Sequence, residues 1–78
     1  MNNIYIINQK KYSIYIYHIM NDSYLQIGLL EPNDSIIIAI PLGSDIIAKK
    51  VKKLNEFNIP DKTIVTNKIS NSNNYLII

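Results

Sequence analysis

Histidine occurs once in the 78 residues, at position 18. A single imidazole can act as a general base or metal ligand only with partners that the fold brings to it. Asp22 and Glu31 are the nearest carboxylates in sequence, and nothing in their spacing requires such a meeting. Cysteine is absent, which excludes a thiol nucleophile, a thiolate metal site and any disulfide. None of H-E-x-x-H, the P-loop, G-x-S-x-G or G-x-G-x-x-G occurs, and Gly28 and Gly43 alone cannot build a phosphate-cradling loop. His18 is therefore read as a strand histidine, and a catalytic residue only if the protein proves to be an enzyme. No metal or cofactor is expected.

The basic residues offer binding chemistry instead. Lys49, Lys50, Lys52 and Lys53 crowd into five positions, and Lys62 follows nearby. Lysine meets phosphate as a point charge and does not read bases, so binding through these residues would be salt-sensitive and non-specific. A solvated face of an amphipathic element explains the same spacing. The loop Leu42-Gly43-Ser44 precedes the cluster and could present backbone N–H groups to an anion. Asp45 argues against that use, because its carboxylate already occupies the same place. Tyr12, Tyr15, Tyr17 and Tyr24 could stack on bases, pack across strands, or line a subunit interface. The candidate ligand contacts are Leu42, Gly43, Ser44, Lys49, Lys50, Lys53 and Lys62.

The elements that must position these residues belong to one domain, residues 1–78. A chain this short buries only a little more than ~60% of its unfolded surface. Isoleucine compensates: 18 Ile, six Tyr and one Phe favour a pleated, half-buried surface. Small cores of this kind gain stability by association, so a homodimer is expected. All eight basic residues are lysine and the net charge is +2, which makes nucleic acid a weak expectation. No signal peptide or membrane-length apolar run is visible, so the chain is expected to be cytoplasmic, without a membrane partner.

Residues 4–8 form an expected strand with apolar side chains on both faces. A second spans 12–20, with Tyr12, Ile14, Ile16, His18 and Met20 on one side and Ser13, Tyr15, Tyr17 and Ile19 on the other. After Asn21-Asp22-Ser23, residues 24–30 place Leu25, Ile27 and Leu29 inward and Tyr24, Gln26 and Gly28 outward. Glu31-Pro32-Asn33-Asp34 suits a type I turn. The unbroken apolar run 36–40 indicates a central strand buried on both faces. Ser44 then caps a predicted helix to Phe57, with Ile46, Ile47, Val51, Leu54 and Phe57 on one broad face. Lys49, Lys52 and Lys53 lie on its opposite face and Lys50 at the rim. Asn58 and Ile59-Pro60 end it, and strands at 63–69 and 75–78 flank an Asn-Ser turn at 71–74. The terminal strand is expected to be buried, in the monomer or a dimer, because so apolar an edge invites aggregation. The fold class is α+β, a mostly antiparallel sheet of about six short strands in the order β-β-β-β-α-β-β, with one amphipathic helix packed on it.

Tyr5-Ile6-Ile7-Asn8 is similar to the Tyr-Leu-Leu-Asn that opens the small viral and plasmid-borne ring nucleases. Those proteins cleave cyclic tetra-adenylate and so disarm type III CRISPR defence. Ala39-Ile40, the helix to Phe57, the Ile59-Pro60 step and the two terminal strands also resemble that family. Its Gly-His after Ala-Ile is Pro41-Leu42 here, so the histidine that promotes cleavage is missing. The basic residue after its Pro step is at best Lys62. The resemblance implies a viral or mobile-element protein that counters host defence as a non-catalytic binder, holding a cyclic oligonucleotide signal or a defence protein. The alternatives are a divergent ring nuclease using His18 and a structural or weakly DNA-binding protein.

Overall fold

The computed structural model describes residues 2–68 and 75–78. The expected turn at 71–74 and the end of the expected strand at Ile69 lie outside the described residues. The described residues form seven strands: β1 (Asn2–Ile7), β2 (Ile14–Met20), β3 (Ser23–Leu30), β4 (Ser35–Ile40), β5 (Asp45–Leu54), β6 (Phe57–Lys68) and β7 (Tyr75–Ile77). They form a three-stranded sheet in the order β4-β1-β7 and a four-stranded sheet in the order β3-β2-β5-β6. Only the β1–β7 pair is parallel.

The α+β expectation is overturned. No helix forms among the described residues, and the expected helix is β5, a two-residue turn and the start of β6. Asn55 and Glu56 both have positive φ, 51° and 73°, which is the type I′ arrangement whose twist matches a β-hairpin. Two features disguised the strand. Ile46, Ile47 and Ala48 are all buried, so the apolar signal does not alternate. Val51, Leu54 and Phe57 then fall at helical spacing from Ile47, although β5 keeps its own period of two and the extra residues of the register shifts lie in β6. The β-branched Ile46, Ile47 and Val51 suit the strand they occupy.

Turn chemistry explains the remaining connections. Asn21 and Asp22, at φ 47° and 64°, close β2 on β3 in a second type I′ turn. In Glu31-Pro32-Asn33-Asp34 the Asp34 amide donates to the Glu31 carbonyl at 3.0 Å, and Asn33 sits at φ 67°. Proline second and positive φ third make a type II turn, not the expected type I. Pro41-Leu42-Gly43-Ser44 repeats the design: Ser44 N–H donates to the Pro41 carbonyl at 3.4 Å, and Gly43 has φ 83°. Ser44 thus closes a turn; it caps no helix. This turn carries the chain from the three-stranded sheet to the four-stranded one.

The sheets bury Ile4 and Ile6 against Ile14, Ile16, Leu30, Ile46 and Ala48, with Ile40 and Ile78 completing the core. β1 alternates as a one-sided strand should, with Ile4, Ile6 and Asn8 buried and Asn3 exposed. In β3 the register passes from Ile16↔Gly28 to Tyr17↔Gln26, so Ile27 is skipped. Over 24–26 the expected facing holds, with Leu25 opposite the inward His18 and Tyr24 outward, but at 28–30 the bulge reverses it: Gly28 and Leu30 take the inner positions and Leu29 the outer one. Leu25 and Leu29 are both exposed. A Cβ at Gly28 would lie 3.0 Å from Ile36 Cδ1 of the other sheet, so a side chain there would require that isoleucine to shift.

Asn8 is the polar hub of the fold and is fully buried. Its Nδ2 donates to the carbonyls of Tyr12, Leu30 and Glu31 at 2.9–3.1 Å, and its Oδ1 accepts from Lys10 N–H at 2.9 Å. Its backbone N–H and C=O bond to Asp34 and Asn33. One side chain therefore ties the β1–β2 connection to the β3–β4 turn, where irregular backbone would otherwise leave buried carbonyls without donors.

Candidate functional site

Position 15 begins the site. Tyr15 and Tyr17 are two apart on β2, so both project from the outer side of the four-stranded sheet. Lys49 lies beside Tyr15 on β5, and Tyr24 comes from β3. The ring centroids of Tyr15 and Tyr17 are 6.2 Å apart, and those of Tyr17 and Tyr24 are also 6.2 Å apart, in tilted and edge-to-face geometry. Lys49 Nζ stands 5.9 Å from the Tyr17 centroid and 5.5 Å from that of Tyr24. Each such contact contributes about 0.5–1 kcal/mol at an exposed site. Burial pushes the Tyr17 phenol above its ordinary value, and the neighbouring Tyr15 adds to the rise.

A cleft adjoins this row. The register irregularities bend the outer part of the β5–β6 hairpin, and Asn58 accepts a 3.2 Å hydrogen bond from the Tyr15 hydroxyl. Ser13, Leu29 and Glu31 form one side of a cleft of about 380 Å³, and Val51, Lys52, Lys53 and Asn58 form the other. Leu29 is the cross-strand partner of Tyr15, so the cleft and the tyrosine row meet at that ring. Its volume suits a small-molecule moiety. Two lysines against one glutamate leave it with a positive balance.

The expected contacts are only partly brought together. Lys49 joins the tyrosines and Lys53 lines the cleft. Lys50, on the opposite side of β5, lies 4.6 Å from the Tyr12 ring. A strand sends Lys49 and Lys50 to opposite faces, whereas the expected helix had kept them near one another. Lys62 is exposed on β6 between the paired positions Pro60 and Thr63, and Thr63 is the cross-strand partner of Lys49. Leu42, Gly43 and Ser44 belong to the sheet-switching turn, where the Gly43 carbonyl accepts from Lys68 Nζ at 3.4 Å. Lys68 also meets Asp45 at 3.5 Å, an exposed pair of little energetic weight. Lys52, one of the four clustered lysines, also lines the cleft, whereas Ser13, Leu29, Glu31, Val51 and Asn58 went unforeseen because only the strand pairing brings them together.

His18 faces inward between its cross-strand partners Leu25 and Ile46 and is only 3% exposed. Its Nε2 has no hydrogen-bond partner among the described residues. No group of three or more His, Asp or Glu side chains suited to a metal ion occurs among the described residues. No described helix is long and apolar enough to cross a membrane. Comparison with protein-family profiles, curated proteins and solved structures finds no match.

Proposed function

We propose that the protein is a non-catalytic binding module that holds a base-bearing oligophosphate on the outer side of its four-stranded sheet. The observation that carries this reading is Lys49, poised over the rings of both Tyr17 and Tyr24 beside a cleft edged by Lys52 and Lys53. Tyrosine rings stack on nucleobases regardless of sequence, at about 1–3 kcal/mol per base, and lysines neutralise the linking phosphates. An incoming phosphate draws Lys49 off the rings, which frees their faces for bases. Retention without cleavage follows from the chemistry present: the only histidine is buried, and Pro41-Leu42 stands where the ring nucleases carry Gly-His. The sequence resemblance at Tyr5-Ile6-Ile7-Asn8, Ala39-Ile40 and Ile59-Pro60, which no longer includes a helix between them, puts cyclic tetra-adenylate first among ligands, and withholding it would blunt a host defence.

Native mass spectrometry with cyclic tetra-adenylate, linear oligoadenylate and single-stranded DNA tests the reading. The expected result is a complex whose ligand keeps its mass, weakened about tenfold by Lys49→Ala or Tyr24→Ala and weakened further by salt. A hydrolysed ligand, or no complex with any of the three, contradicts it.

A further inference from the structure

The outer side of the three-stranded sheet poses a separate problem. The register places Asn3, Tyr5 and Ile7 of β1 beside Ser35, Ile37 and Ala39 of β4, and sets Tyr75 and Ile77 of β7 on the other flank. Not one of these positions is charged, in a chain with 14 charged residues. Ile37 is 69% exposed, Tyr75 65% and Ile77 58%. The pattern Ile36-Ile37-Ile38-Ala39-Ile40 is that of a strand buried on both sides, yet β4 is an edge strand with one side open. No described residue packs on that side.

We infer that this face is covered by the same face of a second copy, in a two-fold, sheet-on-sheet homodimer. Three arguments select a copy over another partner. A neutral face meets itself without like-charge repulsion, whereas the lysine-bearing surface elsewhere, on a chain of net charge +2, does not. The area is also adequate: three large side chains mostly exposed, with their half-buried neighbours, present on the order of 500 Å². Two copies then remove about 1,000 Å² from water, the lower bound for a specific interface.

The third argument is shape. Ile37, Tyr5 and Tyr75 form one row across the sheet, with protruding side chains at both ends and a half-buried ring between them. Tyr5 is held there by a 5.4 Å edge-to-face contact with Tyr75 and a 3.2 Å hydrogen bond to Ser35 Oγ. A two-fold axis parallel to the strands sets Ile37 of one protomer against Tyr75 of its partner, twice, over a shallow centre. Stacked sheets about 10 Å apart interdigitate in this way.

Sedimentation equilibrium tests the inference. The expected wild-type mass is twice 9.0 kDa at micromolar concentration. Ile37→Lys and Tyr75→Glu, both at exposed positions, should each weaken dimerisation at least 100-fold without lowering the melting temperature of the monomer. Mixing the two variants should recover a heterodimer, because the new opposite charges then face each other and the second contact is native. A 9.0 kDa wild type, or a dimer that survives Ile37→Lys, overturns the inference. Failure of the mixture to associate overturns the axis direction. Oligonucleotide binding involves the other sheet, so its presence or absence does not alter these outcomes.

Discussion

The two outward sheet faces share a scaffold and differ in chemistry. Outside the three-stranded sheet, neutral side chains such as Ile37, Tyr75 and Ile77 stand in the open. Outside the four-stranded sheet, a lysine stands over two rings of a three-tyrosine row, and the β5–β6 hairpin adds two more lysines at a cleft. The first face gains free energy by excluding water wholesale. The second keeps water at its lysines and holds its rings in mixed orientations, which suits a polar ligand with flat parts. The proposed division gives assembly to one side and recognition to the other, and both sides lean on the same isoleucine core.

Removing that shared support breaks both faces at once, and this is the largest effect expected. Ile16→Ala opens a cavity between the sheets and should cost about 3 kcal/mol, read from denaturant unfolding. Asn8→Ala removes the Nδ2 donor shared by the carbonyls of Tyr12, Leu30 and Glu31, the last of which keeps the Asp34 N–H, and should cost about 2 kcal/mol. It acts at the end of the molecule where the two sheets are tied.

Smaller substitutions separate the faces. Lys49→Ala should lower oligonucleotide affinity about tenfold while leaving the monomer–dimer equilibrium unchanged, as isothermal titration and sedimentation would show. The raised Tyr17 phenol gives a sign to the pH dependence. Its folded form holds the proton more tightly than the unfolded chain does, so its contribution is fully present below pH 10.0 and is lost as pH rises through the folded value. Tyr15→Phe removes the lesser cause and should move the Tyr17 absorbance titration back towards neutral pH. The smallest effect belongs to His18→Leu. It exchanges an imidazole whose Nε2 has no partner for an apolar side chain, and stability should change by less than about 1 kcal/mol or rise.

Much of the strand layout was legible because Ile, Tyr and turn residues alternate plainly. The sequence predicts strands at 4–8, 12–20, 24–30 and 36–40, and turns at 21–23 and 31–34, and strands do form at 2–7, 14–20, 23–30 and 35–40. The helix failed at residues 44–57 for a physical reason. A strand with both sides buried over Ile46–Ala48, followed by Val51, Leu54 and Phe57, imitates a helical period over that length. The type I′ turn at Asn55-Glu56 carries no glycine, so it gave no local warning. The same error dispersed the candidate site. Lys49 and Lys53 were found for their charge, but only the strand shows that Lys50 points away and that Tyr17 and Tyr24 are Lys49's neighbours. The run at 36–40 was read as central, and its open outer side became visible only once β4 was placed at an edge.

The most direct test of the division between the faces is native mass spectrometry of the Ile37→Lys protein with cyclic tetra-adenylate and linear oligoadenylate. A 9.0 kDa monomer carrying one intact oligonucleotide is the predicted species. A monomer that binds neither, when the wild-type dimer does, would show that recognition needs both copies and would contradict the account.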